Sequence, residues 1–140
     1  MRKVRTVIDF LYDEVLITNK VITWLLLIGW MAMIFYLSSV PDLNFGQSLA
    51  AYDFVLRKLA HMFVFGVLAF LWHTNIKSYE WAGVLAFLYA ISDEIHQHYV
   101  PTRRGAVTDV LIDTLGIIIA LYLVRTLLHK LEEPDLEDEE

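Results

Sequence analysis

Val21 to Pro41 is a run of 21 residues without one Asp, Glu, Lys or Arg. As a helix it covers about 30 Å, the thickness of a bilayer's hydrocarbon core. At 57% hydrophobic over 140 residues, the chain also carries more apolar surface than a water-soluble domain of its size needs to bury. Leu59 to Ile76 gives 18 more residues free of those charges, preceded by Phe54 to Leu56 and the pair Arg57 and Lys58. Two further segments are less pure. Tyr79 to Tyr99 is apolar as far as Ile91 and then reads Ser92-Asp93-Glu94-Ile95-His96-Gln97-His98, while Ala106 to Leu128 is broken by Asp109, Asp113 and Arg125. The loops are short, and most polar residues of these two segments lie at the ends that meet at Pro101. The pattern predicts an all-α polytopic membrane protein with four transmembrane helices.

Ahead of the first span, Val4, Val7, Ile8, Leu11 and Val15 recur at helical spacing opposite Arg2, Arg5, Asp9 and Asp13. This predicts an amphipathic interfacial helix over residues 1–20, and its acids interrupt the pattern a signal peptide would show. Residues 21–130 then form the four-helix domain, and 131–140 an acidic, disordered tail. Seven of the 17 acids lie between Glu132 and Glu140, and without them the net charge moves from −6 to +1. Acidity therefore belongs to the tail, and a broad nucleic-acid-binding surface is excluded. With zero cysteines, disulfides, thiolate metal sites and thiol catalysis are excluded too. Lys and Arg in the flanks favour cytoplasmic termini: Arg2, Lys3, Arg5, Lys20, Lys77, Arg125 and Lys130 against Arg57, Lys58, Arg103 and Arg104.

In that topology, ionisable residues from three helices fall at one depth. At ~1.5 Å per residue, His61, Asp93 and Asp113 each lie about 10 Å below the outer boundary. Lys58 and His61 share one helix face, as do Asp93, His96 and Gln97, with Glu94 reaching toward Gln97 and His98. Asp109, Asp113, Gly116 and Ala120 make a single stripe, where small residues permit close helix approach below two carboxylates. Burying such charges in lipid costs about 2.5–3.5 kcal/mol each on insertion scales, so a cluster of them reads as functional. Lys58, Gln97, Arg103 and Arg104 are the candidate ligand-binding residues. His61, Asp93, Glu94, His96, Asp109 and Asp113 are the candidate acid/base groups if the protein is an enzyme. A closed ion network that only fixes helix packing is the competing explanation.

Other features carry less. His73 and His129 fit the membrane interface, and Trp24, Trp30, Trp72 and Trp81 an aromatic belt or ordinary packing. Ser38 and Ser39 could line the outer site or simply end a span beside Pro41. There is no HExxH, Gly-rich phosphate loop or nucleophile elbow, so the sequence assigns no metal, and the cofactor is left unknown.

Phe35-Tyr36-Leu37-Ser38-Ser39-Val40-Pro41, Lys58-Leu59-Ala60-His61 and Ser92-Asp93-Glu94-Ile95-His96-Gln97 occur in that order. Val100-Pro101-Thr102-Arg103 and Asp109-Val110-Leu111-Ile112-Asp113-Thr114-Leu115-Gly116 follow. Over roughly residues 21–125 this resembles the VanZ-like family of small bacterial integral membrane proteins. Thr102 stands where a Gly is common, and Asp113 where many members have Asn. The resemblance implies a four-helix protein of the cell envelope, in a family named for low-level resistance to the glycopeptide teicoplanin, and supplies no mechanism. Three readings follow. The leading one is an outward-facing site in the cytoplasmic membrane, where Arg103 and Lys58 clamp an anionic envelope lipid or lipid-linked cell-wall precursor. The second is a membrane-embedded hydrolase or transferase acting on a lipid-linked substrate, with no activated nucleophile visible. The third is an ion network without a ligand.

Overall fold

A computed structural model describes residues 20–41, 50–101, 103 and 105–132, with the backbone alone for 50–54 and 132. The described residues form four helices: α1 Lys20–Ser39, α2 Ala50–Ile76, α3 Tyr79–His98 and α4 Val107–Glu132. No strand occurs among them. The amphipathic helix expected before Lys20 and the acidic residues after Glu132 lie outside the described residues.

Contacts between helix ends define an up-down-up-down bundle. Thr23, at the start of α1, donates to Asn75 Oδ1 near the end of α2 at 2.9 Å, and Asn75 Nδ2 donates back to the Thr23 carbonyl at 3.2 Å. At the other end, Ser38 of α1 reaches Asp93 of α3, and Lys58 of α2 reaches Asp109 of α4. Midway, the Tyr89 hydroxyl donates to the Met31 carbonyl at 2.7 Å and Trp30 Nε1 to the Val64 carbonyl at 3.0 Å. Central α2 packs on all three other helices, most extensively on α4. The tight connection from α2 to α3 uses Lys77 at φ 61°, the left-handed conformation that closes a helix, with its N–H donating to the His73 carbonyl at 2.8 Å. Ser78 then caps α3 by accepting from Trp81 N at 3.2 Å.

Side-chain size is sorted in the manner of a membrane bundle. Ala82, Ala86 and Ala90 are fully buried along one stripe of α3. Trp81, Val84, Leu88 and Ile95 of the same helix face outward, as do Val21, Leu25 and Tyr36 of α1 and Leu111, Ile118 and Tyr122 of α4. Water would not tolerate so continuous an apolar exterior, and lipid favours it. Three helical segments are long and apolar enough to cross a membrane: Lys20–Ser39, Val55–Ile76 and Val107–Leu131. Their exteriors and the family described below make this an integral membrane protein.

The closest approach is between α2 and α4. A Cβ on Gly116 would overlap the Met62 carbonyl oxygen, whereas one on Gly66 would lie 3.1 Å from the Gly116 oxygen. Gly29 has nothing within 4 Å. Gly116→Ala therefore forces two backbones apart and should cost more than about 3 kcal/mol. Gly66→Ala should cost about 1–2 kcal/mol, and Gly29→Ala should be neutral or stabilise by up to about 1 kcal/mol. Thermal unfolding of the three variants in detergent checks that order.

Candidate functional site

The alanine stripe of α3 changes character at its C-terminal end, where the next inward positions are Asp93, Glu94 and Gln97, all buried. The apolar sequence before them makes α3 a bundle helix. The helical repeat then turns these three polar side chains inward with the alanines.

Two seams are polar at this end. Between α2 and α4, Lys58 Nζ pairs with Asp109 Oδ1, and one turn deeper His61 Nδ1 faces Asp113 Oδ1 at 3.3 Å. The latter contact is an electrostatic pairing rather than an aligned hydrogen bond, since neither atom gains a hydrogen-bond partner from it. The ladder runs from partly open to sealed. Side-chain exposure is 21% at Lys58 and 24% at His61 but 1% at Asp113. Gly116 lies three residues below Asp113, so the close helix crossing seals the lower end of this ladder.

Between α1 and α3, Ser38 Oγ donates to Asp93 Oδ1 at 2.5 Å, and Gln97 Nε2 donates to Asp93 Oδ2 at 2.8 Å. Asp93 is thus a buried carboxylate with a donor on each oxygen. Ser39 Oγ and His96 Nε2 are 2.9 Å apart, and the His96 ring stacks on Phe35 with centroids 4.3 Å apart.

Glu94 joins the α3–α4 turn to the cluster. Its Oε1 accepts from the N–H of Ala106, just ahead of α4, where the helix dipole favours negative charge. Gly105 fits closely there, because a Cβ would meet the Glu94 carbonyl oxygen at 3.0 Å and Oε1 at 3.3 Å. Glu94 Oε2 is buried and has no hydrogen-bond partner among the described residues.

Arg103 closes the end. Its Nε donates to the Val40 carbonyl at 2.8 Å and its Nη2 to the Leu37 carbonyl at 2.9 Å, where α1 stops and the Leu37 oxygen also accepts from Val40 N at 3.3 Å. One guanidinium therefore straps the α3–α4 turn across the end of α1. Arg104 lies outside the described residues.

Most of the expected residues are gathered at this end, with different partners in several cases. Lys58, His61, Asp109 and Asp113 share one seam, and Asp93, His96 and Gln97 share the other. Glu94 reaches α4 rather than Gln97 or His98, and Arg103 holds carbonyls. Helical spacing on one chain segment says nothing about such cross-helix partners. Ser38 and Ser39 are the residues sequence reasoning left undecided, and Phe35 is one it did not single out. The depth of Ser38 and Ser39 at the end of α1, equal to that of the α3 acids, was the available signal. No group of three or more His, Asp or Glu among the described residues could hold a metal ion.

Away from this end, His73 is buried and stacks on Tyr79 with centroids 4.1 Å apart, and Trp24 meets Trp72 edge-on at 6.2 Å. These are packing contacts near the opposite end of the bundle.

A family model described as VanZ/LLP1 matches residues 23–129, from the first turn of α1 to the last turns of α4. The chain belongs to the VanZ/LLP1 family. The match takes in both polar seams and the Arg103 strap, so the VanZ/LLP1 region and the four-helix bundle coincide. No curated protein and no solved structure matches the chain.

Removing the strap should loosen the turn that carries Glu94 and Arg103. Arg103→Ala should lower stability by about 1–2 kcal/mol, the loss expected for two charge-assisted hydrogen bonds to partly exposed carbonyls. Arg103→Lys should recover no more than about half, because one ammonium does not reproduce a planar fork. Denaturant titration of both variants against the parent measures this.

Proposed function

We propose that this VanZ/LLP1 protein crosses the bacterial cytoplasmic membrane four times with both termini in the cytoplasm. Its polar end faces outward and binds the head group of an anionic envelope lipid or lipid-linked cell-wall precursor. The observation that carries the reading is an unfinished polar network. Buried Glu94 Oε2 lacks a hydrogen-bond partner among the described residues, and Asp113 Oδ1 has only the His61 ring nitrogen at 3.3 Å, beside a partly open Lys58 and His61. A network serving only to fix helices would be expected to satisfy its own buried atoms, since each orphan costs about 1–3 kcal/mol. A ligand carrying O–H or N–H donors would complete it.

The charge arrangement supports the anionic part. Arg103 lies at the rim and spends two of a guanidinium's five donors on carbonyls, leaving an outer edge for a phosphate. The carboxylates lie further in, suited to the hydroxyl or amine groups of the same head group. Crossing by α3, the least apolar helix, is supported by its outward apolar face and its inward polar one. Retention of a precursor at this site would limit its availability to a glycopeptide acting outside the membrane, which is how a teicoplanin phenotype would arise.

Native mass spectrometry of the detergent-purified protein, titrated with phosphatidylglycerol and with phosphatidylcholine, tests this. The parent should retain the anionic lipid preferentially. Glu94→Gln and His61→Ala should weaken that retention about tenfold or more while unfolding cooperatively, the equivalent of at least about 1.4 kcal/mol. Equal, weak retention of both lipids by parent and variants would contradict the proposal.

A further inference from the structure

The geometry points to Ser39 and His96 as a nucleophile and general base that cleave an acyl ester of a membrane lipid. Ser39 Oγ lies 2.9 Å from His96 Nε2, inside the range that marks an activatable hydroxyl. The hydroxyl has one proton and two acceptors in reach, the Phe35 carbonyl at 2.7 Å and His96 Nε2. With the Ser39 proton donated to the Phe35 carbonyl, the pair rests as a helix-to-helix hydrogen bond donated by His96. With the proton turned to Nε2 of the neutral, Nδ1-protonated imidazole, His96 is placed as the base. The ring is held by its stack on Phe35 rather than by a carboxylate, since Asp93 is occupied by Ser38 and Gln97.

Depth selects the substrate class. Resting on the membrane placement proposed above, α1 of 20 residues spans about 30 Å, so Ser39 at its last position lies at the edge of the hydrocarbon core. That edge is where the ester carbonyls of glycerolipids lie, and Ser39 is partly open to the surroundings. Arg103, bound to the carbonyls of Leu37 and Val40 on either side of the two serines, brings positive charge to the same turn. Negative charge developing on a carbonyl oxygen there is favoured.

The step balances with water as the second reactant. Ser39 Oγ bonds to the ester carbon as its proton passes to Nε2, and the carbon–oxygen bond to the lipid alcohol breaks as that alcohol takes the proton from His96. Water, deprotonated by Nε2, then attacks the acyl-Ser39 carbon. The bond to Oγ breaks, the proton returns to Oγ, and a free fatty acid leaves.

A fluorophosphonate probe tests this on the full chain in detergent, because it forms a stable adduct with an activated serine and needs no knowledge of the lipid. Peptide mapping should find one adduct, on Ser39. His96→Ala and His96→Gln should slow labelling about a hundredfold or more, and Ser92→Ala, on the exposed side of α3, should label as the parent does. Absence of an adduct from folded parent protein, an adduct on another serine, or undiminished labelling of His96→Gln would each overturn the proposal. Protein that retains phosphatidylglycerol without labelling would overturn the nucleophile and leave the binding site standing. Labelling without lipid retention would support the nucleophile and remove the binding reading alone.

Discussion

A charge placed in a low-dielectric interior must find a partner or lose its charge, and the rest of this bundle follows from that requirement. Asp93, Glu94 and Asp113 are buried among helices whose exteriors are apolar. The chain meets the requirement by collecting its carboxylates at one end, against partners from several helices. Asp93 is served from α1 and from its own helix, Asp109 and Asp113 from α2, and Glu94 from the backbone that opens α4. Four helices are thereby tied together by polar contacts where the alanine and leucine core stops.

Close backbone packing makes those contacts possible. Gly116 lets α4 press against Met62 of α2, and the same approach brings Asp113 within 3.3 Å of His61. The Arg103 strap acts at the opposite margin of the cluster, where it ties the α3–α4 turn to the terminal carbonyls of α1. Packing and the polar cluster are therefore not separable here. The residues that order the helix ends are those that give the cluster its shape, and in the proposed function the buried Glu94 Oε2 they leave without a partner is what a head group would use.

Much of this was legible in the sequence because two periodicities are strong. The charge-free run from Val21 to Pro41 and the apolar stretches after it predict helices, and the structure has helices at Lys20–Ser39, Ala50–Ile76, Tyr79–His98 and Val107–Glu132. The 3.6-residue repeat also predicts that Lys58 and His61 share a face, and that Asp109, Asp113 and Gly116 do. That the two faces meet depends on helix pairing, which the repeat does not encode but a common depth implies. The partners of Glu94 and Arg103 were hidden for another reason, since both act on backbone groups exposed where a helix starts or stops. The Ser39–His96 contact joins residues 57 apart in the chain, and no local pattern signals it.

The proposed site requires α3 to cross the membrane with the polar end outside. The chain has no cysteine, so single thiols can report the two ends of α3 without background. Glu80 and Pro101 are both exposed, one just inside the start of α3 and the other just beyond its end. Treating intact cells with a membrane-impermeant maleimide should modify Pro101→Cys at once and Glu80→Cys only after permeabilisation. Modification of both in intact cells would mean that α3 does not cross, and modification of Glu80→Cys alone would put the polar end in the cytoplasm.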